Sequence, residues 1–272
     1  MGFNSSRWMA KLRMLAGSGE AAAWLDYDKK RIQLGVSSEI EYHTRLHSCK
    51  KEPETIEWIE RCFSPGDVFY DVGANVGAYS LVAASYWEGA VRVVAFEPGA
   101  TNFARLVRNL VLNRVEHWIT PLPVALAEKT GLANFHYANL TAGGALHALN
   151  SDRDFRGQPF HSAFSSTVLA YDLDTLIDLF HLPPPTHLKL DVDGTEWEVL
   201  QGARRALESV RSLLVELDSG HPQTPRVTQL LNERGFQQTA RHPYRYGKQH
   251  PRFSGTSNVI FSKAVTESPA RS

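Results

Sequence analysis

Cysteine is scarce in this chain: Cys49 and Cys62 are the only two among 272 residues. Two cysteines cannot build a disulfide framework, and these lack zinc-site spacing, so reduced thiols in a cytosol are expected. Net charge is missing as well, since Lys+Arg and Asp+Glu both number 29. Without an overall cationic field, nucleic acid is not expected as a partner. No apolar run reaches the ~18 residues of a membrane span, and no apolar stretch stands near the N-terminus. The chain therefore reads as cytoplasmic, neither inserted in a membrane nor secreted. Met1-Gly2 followed by Ser6 matches the loose N-myristoylation pattern, but only Arg7, Lys11 and Arg13 accompany it as a second anchor. A polar, partly ordered N-terminus is the preferred reading. What is present is an ordinary globular composition, 43% hydrophobic and 21% charged, enough to bury a core.

Apolar patterning divides the chain into an N-terminal extension (1–63), a nucleotide-binding type domain (64–263) and a polar tail (264–272). In the extension, alternation on both sides of Ser37-Ser38 predicts a hairpin, with Ile32, Leu34 and Val36 on one strand and Ile40 and Tyr42 on the other. Pro53 opens a helix carrying Ile56, Ile59 and Cys62. Beyond it, VRVVAF (91–96), ITPLPVAL (119–126), HLKLDVDG (187–194), SLLVELD (212–218) and SNVIFSK (257–263) read as strands, alternating with helical segments. The two prolines of 119–126 place that strand on the outside of the sheet. LANFHY (132–137) and TVLAYD (167–172) add short strands, and 138–166 lacks periodicity, reading either as a lid or as a disordered insertion. The alternation predicts an α/β fold with a doubly wound, mostly parallel sheet.

The most informative stretch is DVFYDVGANVGAYSLVAASY (67–86): a buried strand, a glycine turn and a helix start. A dinucleotide fingerprint has glycine at the centre of this turn, whereas Asn75 stands there. Asp71 ends the strand, where it would repel a pyrophosphate but pair with an ammonium group. Glu97, at the end of the next strand and followed by Pro98, stands where an acid accepts both ribose hydroxyls. A ligand with a cationic amino-acid end and a ribose fits, and S-adenosylmethionine is such a ligand. The plainer alternatives are a turn built only for the backbone, Asp71 as a helix cap and Glu97 as a loop acid.

Together with KEPETIEWI (51–59), PGDVFYDVGANVGAYSL (65–81), FEP (96–98), LKLDVDGTEWEVLQGA (188–203) and LLVEL (213–217), these residues resemble the FkbM family of S-adenosylmethionine-dependent methyltransferases, over about residues 50–263. The resemblance implies a class I, Rossmann-like methyltransferase fold of seven strands, the last antiparallel. It also implies transfer of a methyl group to a hydroxyl of a small molecule, a sugar, glycolipid or polyketide-type product. Carried over by position, Asp71, Gly73, Asn75 and Gly77 would hold the methionyl end and Glu97 the ribose. Ala74, Pro98 and Ala125 complete the cofactor-binding candidates. The family usually shows Glu where this chain has Asp193, so the carboxylate here is one methylene shorter.

On the strand HLKLD, His187, Lys189 and Asp191 share one side, and Asp191 sits at the C-terminal end where open α/β sheets bind ligands. Asp191 is the first candidate for positioning or deprotonating the acceptor hydroxyl, with His221 and Glu216 as further candidate bases. Asp193 is a catalytic candidate too, although Asp193 and Glu196 fit a helix capping box, which is the favoured reading of that pair. Asp191-x-Asp193 could hold Mg²⁺ through oxygens, but no ligand on a second strand is evident, so metal-independent transfer is expected. RHPYRYGKQHPR (241–252), with Tyr244 and Tyr246, could stack a sugar ring, or be a solvated basic loop. Two other functions stay open: a nicotinamide-dependent oxidoreductase and a non-catalytic S-adenosylmethionine-binding module. A second copy of the chain is a further candidate partner, as a homodimer.

Overall fold

In a computed structural model of the protein, the residues described are Lys11, 21–151, 158–245 and 253–264. The N-myristoylation pattern and Tyr246 lie outside them. Strand β1 (Ala21–Trp24) pairs antiparallel with β2 (Gln33–Val36), so a hairpin is present but with a different partner. The expected strand around Ile40 and Tyr42 is helix α1 (Glu39–His43). Ser38 accepts from the Glu41 amide and the Glu41 carboxylate accepts from the Ser38 amide, a capping box that satisfies both orphan donors and outweighs the alternating pattern. Helices α2 (Ser48–Lys51) and α3 (Pro53–Cys62) follow.

Next come β3 (Val68–Val72), α4 (Ala78–Tyr86), β4 (Arg92–Phe96), α5 (Ala100–Asn113) and β5 (Ile119–Leu122). The stretch read as one strand over 119–126 breaks at Pro123: β5 joins the main sheet, while β6 (Ala125–Leu126) turns away into a second sheet. That sheet also holds β7 (Gly131–Tyr137), β8 (Ala148–Leu149) and β9 (Phe164–Tyr171), in the order β6-β9-β7-β8. The chain returns through α6 (Leu173–Phe180) to β10 (His187–Leu190), α7 (Glu196–Gln201), α8 (Ala206–Ser209), β11 (Ser212–Asp218), α9 (Thr224–Glu233), β12 (Phe236–Pro243) and β13 (Thr256–Lys263).

Among the described residues the main sheet has seven strands in the order β12-β13-β11-β10-β3-β4-β5. The pairs among β11, β10, β3, β4 and β5 are parallel, and β13 runs antiparallel to both of its neighbours. The proline-bearing β5 is at the edge, as its missing amide requires. The near-continuous apolar runs have their cause in two cores, one on each face. Phe69, Val93, Ala95 and Leu214 face a core shared with α4, α5 and the N-terminal hairpin. Tyr70, Val94, Phe96, Leu213 and Val215 face a core shared with α6, α7 and α9. On the first face, Asn109 of α5 accepts from the Gly35 amide at 2.8 Å and donates to the Val76 carbonyl at 2.8 Å, tying hairpin, helix and glycine turn together.

From β3 the chain runs outward to β4 and β5, then crosses back to β10 on the other side of β3. The strand order therefore switches between β3 and β10, and a crevice opens beyond their C-terminal ends. Gly73 makes the approach possible there: its φ is +81°, and a Cβ would collide with the backbone carbonyl oxygen of Asp191. Gly73→Ala should lower stability by about 2 kcal/mol or more through this clash and the left-handed backbone. Urea denaturation checks it, and an unchanged midpoint would mean that the turn and the end of β10 can separate freely.

Candidate active site

A cavity of about 390 Å³ lies over the switch point. Gly73, Ala74, Asn75, Glu97, Pro98 and Ala125 line one half of it. Three amides of the turn are already engaged: those of Gly73 and Ala74 donate to the Phe96 carbonyl, both at 3.0 Å, and that of Asn75 donates to Glu97 at 2.8 Å. Glu97 accepts a second amide, from Gly99 at 2.7 Å, and is 4% exposed. Burial pushes its carboxyl up to about 7 against the pull of these two amides.

Asp71 and Gly77 are not among the lining residues. Asp71 is fully buried behind the turn, where Oδ2 accepts from Ser80 at 2.6 Å and Oδ1 has no hydrogen-bond partner among the described residues. Burial raises its pKa, against the attraction of Lys189. A Cβ on Gly77 would strike Leu106, so this glycine serves the packing of α4 against α5.

The other half of the cavity is built on charge. Lys189, 1% exposed, reaches Asp191 at 2.8 Å and lies 5.1 Å from the centre of the Tyr79 ring. Burial would discharge the ammonium, but Asp191, Asp71 and Glu52 reverse that and raise its pKa. Asp191 keeps its side chain 29% exposed at the cavity wall. Glu52, buried at the start of α3, contacts Lys51 at 2.7 Å. Burial would raise it too, yet Lys51 and Lys189 outweigh this and hold it at about 2. Glu216 also lines the cavity, and burial and then the charge of Asp191 push its carboxyl far up.

The long segment after β7 closes over both halves, so its first part is a lid and not a disordered insertion. Asn75 donates to the Gly144 carbonyl at 2.6 Å and Asn102 donates to the same carbonyl at 3.0 Å. Asn102 also accepts from the Gly143 amide at 2.9 Å, and Arg45 Nε donates to the Gly143 carbonyl at 2.9 Å. Asp193 accepts from the Leu146 amide at 2.7 Å. This last bond overturns the capping box for Asp193 and Glu196. Asp193 has φ +54°, the helix cap is Thr195, and the Asp193 carboxylate faces the lid. Burial and the charge of Asp191 push Asp193 up to about 7.

His221 does not reach this cavity. It lines a smaller neighbouring one, with its Nδ1 accepting from the Gln223 amide at 3.3 Å. Tyr244 does line the main cavity, beside Lys51 at 5.6 Å from its ring. His187 serves the core: it stacks on Phe63 at 4.1 Å and bonds Asp67 and Ser212. Arg45, Lys51, Glu52, Asn102 and the Gly143-Gly144 pair escaped the sequence reading as site residues. The available signals were the motif KEPETIEWI (51–59), which holds Lys51 and Glu52, and two adjacent glycines in an unpatterned stretch.

The raised acids make stability depend on pH with a definite sign. Glu97 holds its proton up to about 7 in the folded state, whereas the unfolded chain releases it in the ordinary carboxylate range. Between those values the folded state binds more protons, so this contribution is complete below the carboxylate range and is lost as pH rises through about 7. Thermal midpoints measured from pH 5 to 8 should therefore fall less steeply for Glu97→Gln than for the parent. Identical slopes would show that Glu97 titrates normally.

The methyltransferase FkbM domain matches residues 71–237. Hexuronic acid methyltransferase AglP of Haloferax volcanii is 29% identical over 189 residues, covering 70% of this chain and 71% of the relative. The 31-O-demethyl-FK506 methyltransferase FkbM of Streptomyces tacrolimicus is 28% identical over 219 residues, covering 71% of this chain and 78% of the relative. Methyltransferase sdnD of Sordaria araneosa is 27% identical over 187 residues, covering 61% and 72%. The chain belongs to the FkbM methyltransferase family.

Proposed function

We propose that the protein is an S-adenosylmethionine-dependent O-methyltransferase acting on a hydroxyl of a small molecule, of sugar, glycolipid or polyketide type. The observation that carries this reading is the division of one cavity: a glycine turn with Glu97 on one side, and Asp191 on its Lys189 ion pair on the other. The names of two relatives, one for hexuronic acid and one for an FK506 precursor, support the acceptor class. The family assignment leaves the nicotinamide-dependent alternative without support.

The residues present fit the cofactor. The turn residues Gly73, Ala74 and Asn75 line the cavity, and Glu97 offers a carboxylate at the ribose position. Asp71, with one oxygen that has no hydrogen-bond partner among the described residues, supplies negative charge toward a cationic amino-acid end. When bound, S-adenosylmethionine supplies an activated methyl group. Asp191 orients the acceptor hydroxyl with its exposed oxygen and takes the proton that the hydroxyl gives up. Lys189 keeps that carboxylate in place and offsets its charge. The lid keeps water from the reacting groups. His221, outside this cavity, has no part in the proton transfer.

Incubation with methyl-labelled S-adenosylmethionine and a panel of glycosides, glycolipids and polyketide alcohols tests the reading. Label should pass to an oxygen of at least one class, and label found only on nitrogen or carbon would refute O-methylation. Asp191→Asn should lower kcat about 100-fold or more while S-adenosylhomocysteine affinity stays within about threefold. Retention of near-parental kcat would remove Asp191 as the base.

A further inference from the structure

Three cations stand among the described residues that line the cavity, and two are matched by carboxylates. Lys51 reaches Glu52 at 2.7 Å and Lys189 reaches Asp191 at 2.8 Å. Arg45 is different. Among the described residues no carboxylate lies within ion-pair distance of it, and its hydrogen bond runs from Nε to the Gly143 carbonyl at 2.9 Å. The Nη ends of the guanidinium carry the remaining donors of a planar fork whose geometry matches a carboxylate. A guanidinium in a partly enclosed cavity without its own anion is costly unless a ligand supplies one.

The position of Arg45 narrows the ligand. It sits in the short turn Arg45–His47 of the N-terminal extension, across the lid from the glycine turn. Arg45 holds the Gly143 carbonyl, while Asn75 at the centre of the glycine turn holds the next carbonyl, that of Gly144. Arg45 and the turn are thus joined through two consecutive lid residues. Its charge also favours the ionised forms of Glu97 and Asp193. Both of those acids already accept backbone amides, and burial brings both to about 7, so they do not fully balance it.

We propose that the Nη fork of Arg45 binds the carboxylate of a ligand inside the cavity and, through Nε on Gly143, ties that ligand to the closed lid. One source of the carboxylate is the methionyl end of the cofactor, which rests on the cofactor reading above. The other is an acidic acceptor such as a uronate. The chemistry is the same in both: a bidentate, charge-assisted pair formed under the lid.

Calorimetric titration of the parent protein and Arg45→Gln distinguishes the sources. The probes are S-adenosylhomocysteine and 5′-methylthioadenosine, which lacks the amino-acid end and its carboxylate. If the cofactor supplies the carboxylate, Arg45→Gln should weaken S-adenosylhomocysteine about 10-fold or more and methylthioadenosine less than about twofold. If the acceptor supplies it, both nucleosides keep their affinity. Glucuronate then loses about 10-fold while methyl glucoside is unaffected. Arg45→Lys keeps the charge without the fork and should fall between parent and Gln, which also covers the case of a poorly folded Gln variant. Parallel loss of both nucleosides would make Arg45 only a fastener of the lid and overturn the proposal, as would no selective loss in either pair. Failure of the parent to bind S-adenosylhomocysteine would refute the cofactor reading instead. The glucuronate pair would then decide on Arg45 alone, and absence of a glucuronate preference would overturn it.

Discussion

The buried ammonium of Lys189 is the charge on which the floor of the cavity depends. An ammonium removed from water is tolerated only when carboxylates compensate it, and here the three acids that do so come from three parts of the chain. Asp191 follows Lys189 just beyond the end of β10, Asp71 lies in register with Lys189 on β3, and Glu52 arrives from the extension. The cluster therefore couples the glycine-turn strand, the acid strand and the N-terminal segment. Tyr79 adds its ring face to the same ammonium and donates from its hydroxyl to the Ser48 carbonyl, which reaches the extension a second time.

Above this floor, the lid is held through its backbone by side chains of unrelated origin. Arg45 and Ser38 come from the extension, Asn75 from the turn, Asn102 from α5 and Asp193 from the loop after β10. Each bond is modest in water, but together they satisfy carbonyls and amides that the closed lid would otherwise leave buried and unpaired. The extension thus supplies Arg45 and Lys51 to the cavity wall and Glu52 to its floor. Gly143, with φ +82° and the Glu41 side chain close to where a Cβ would stand, allows the lid to lie this near α1.

Local pattern and its limits explain which features were legible. The strand, turn and helix over 67–86 were readable because apolar runs, left-handed glycines and a helical repeat are all local signals. The outer position of β5 followed from the two prolines of 119–126, Pro121 and Pro123. The hairpin partner was misread because alternation over 37–42 also suits a helix entered through Ser38 and Glu41. The capping pattern of Asp193 and Glu196 misled in the opposite sense. Its spacing is correct, but the backbone at Asp193 is left-handed and its carboxylate has a better donor in Leu146, far away in sequence. His221 looked like a base because it follows a strand at the ligand-binding end, yet its loop turns toward the smaller cavity.

The sequence by itself determined the fold class and the family, because these rest on periodicity and on motifs within single segments. It also marked Glu97 and Asp191, each at the end of a strand where a doubly wound sheet binds ligands. Only the tertiary structure decided that Asp71 sits behind the turn, that Glu52 and Lys189 share one buried cluster, and that Arg45 faces the cavity under the lid. Those facts depend on burial and on contacts between distant segments, and charge compensation in a dry interior leaves no mark in the order of residues along the chain.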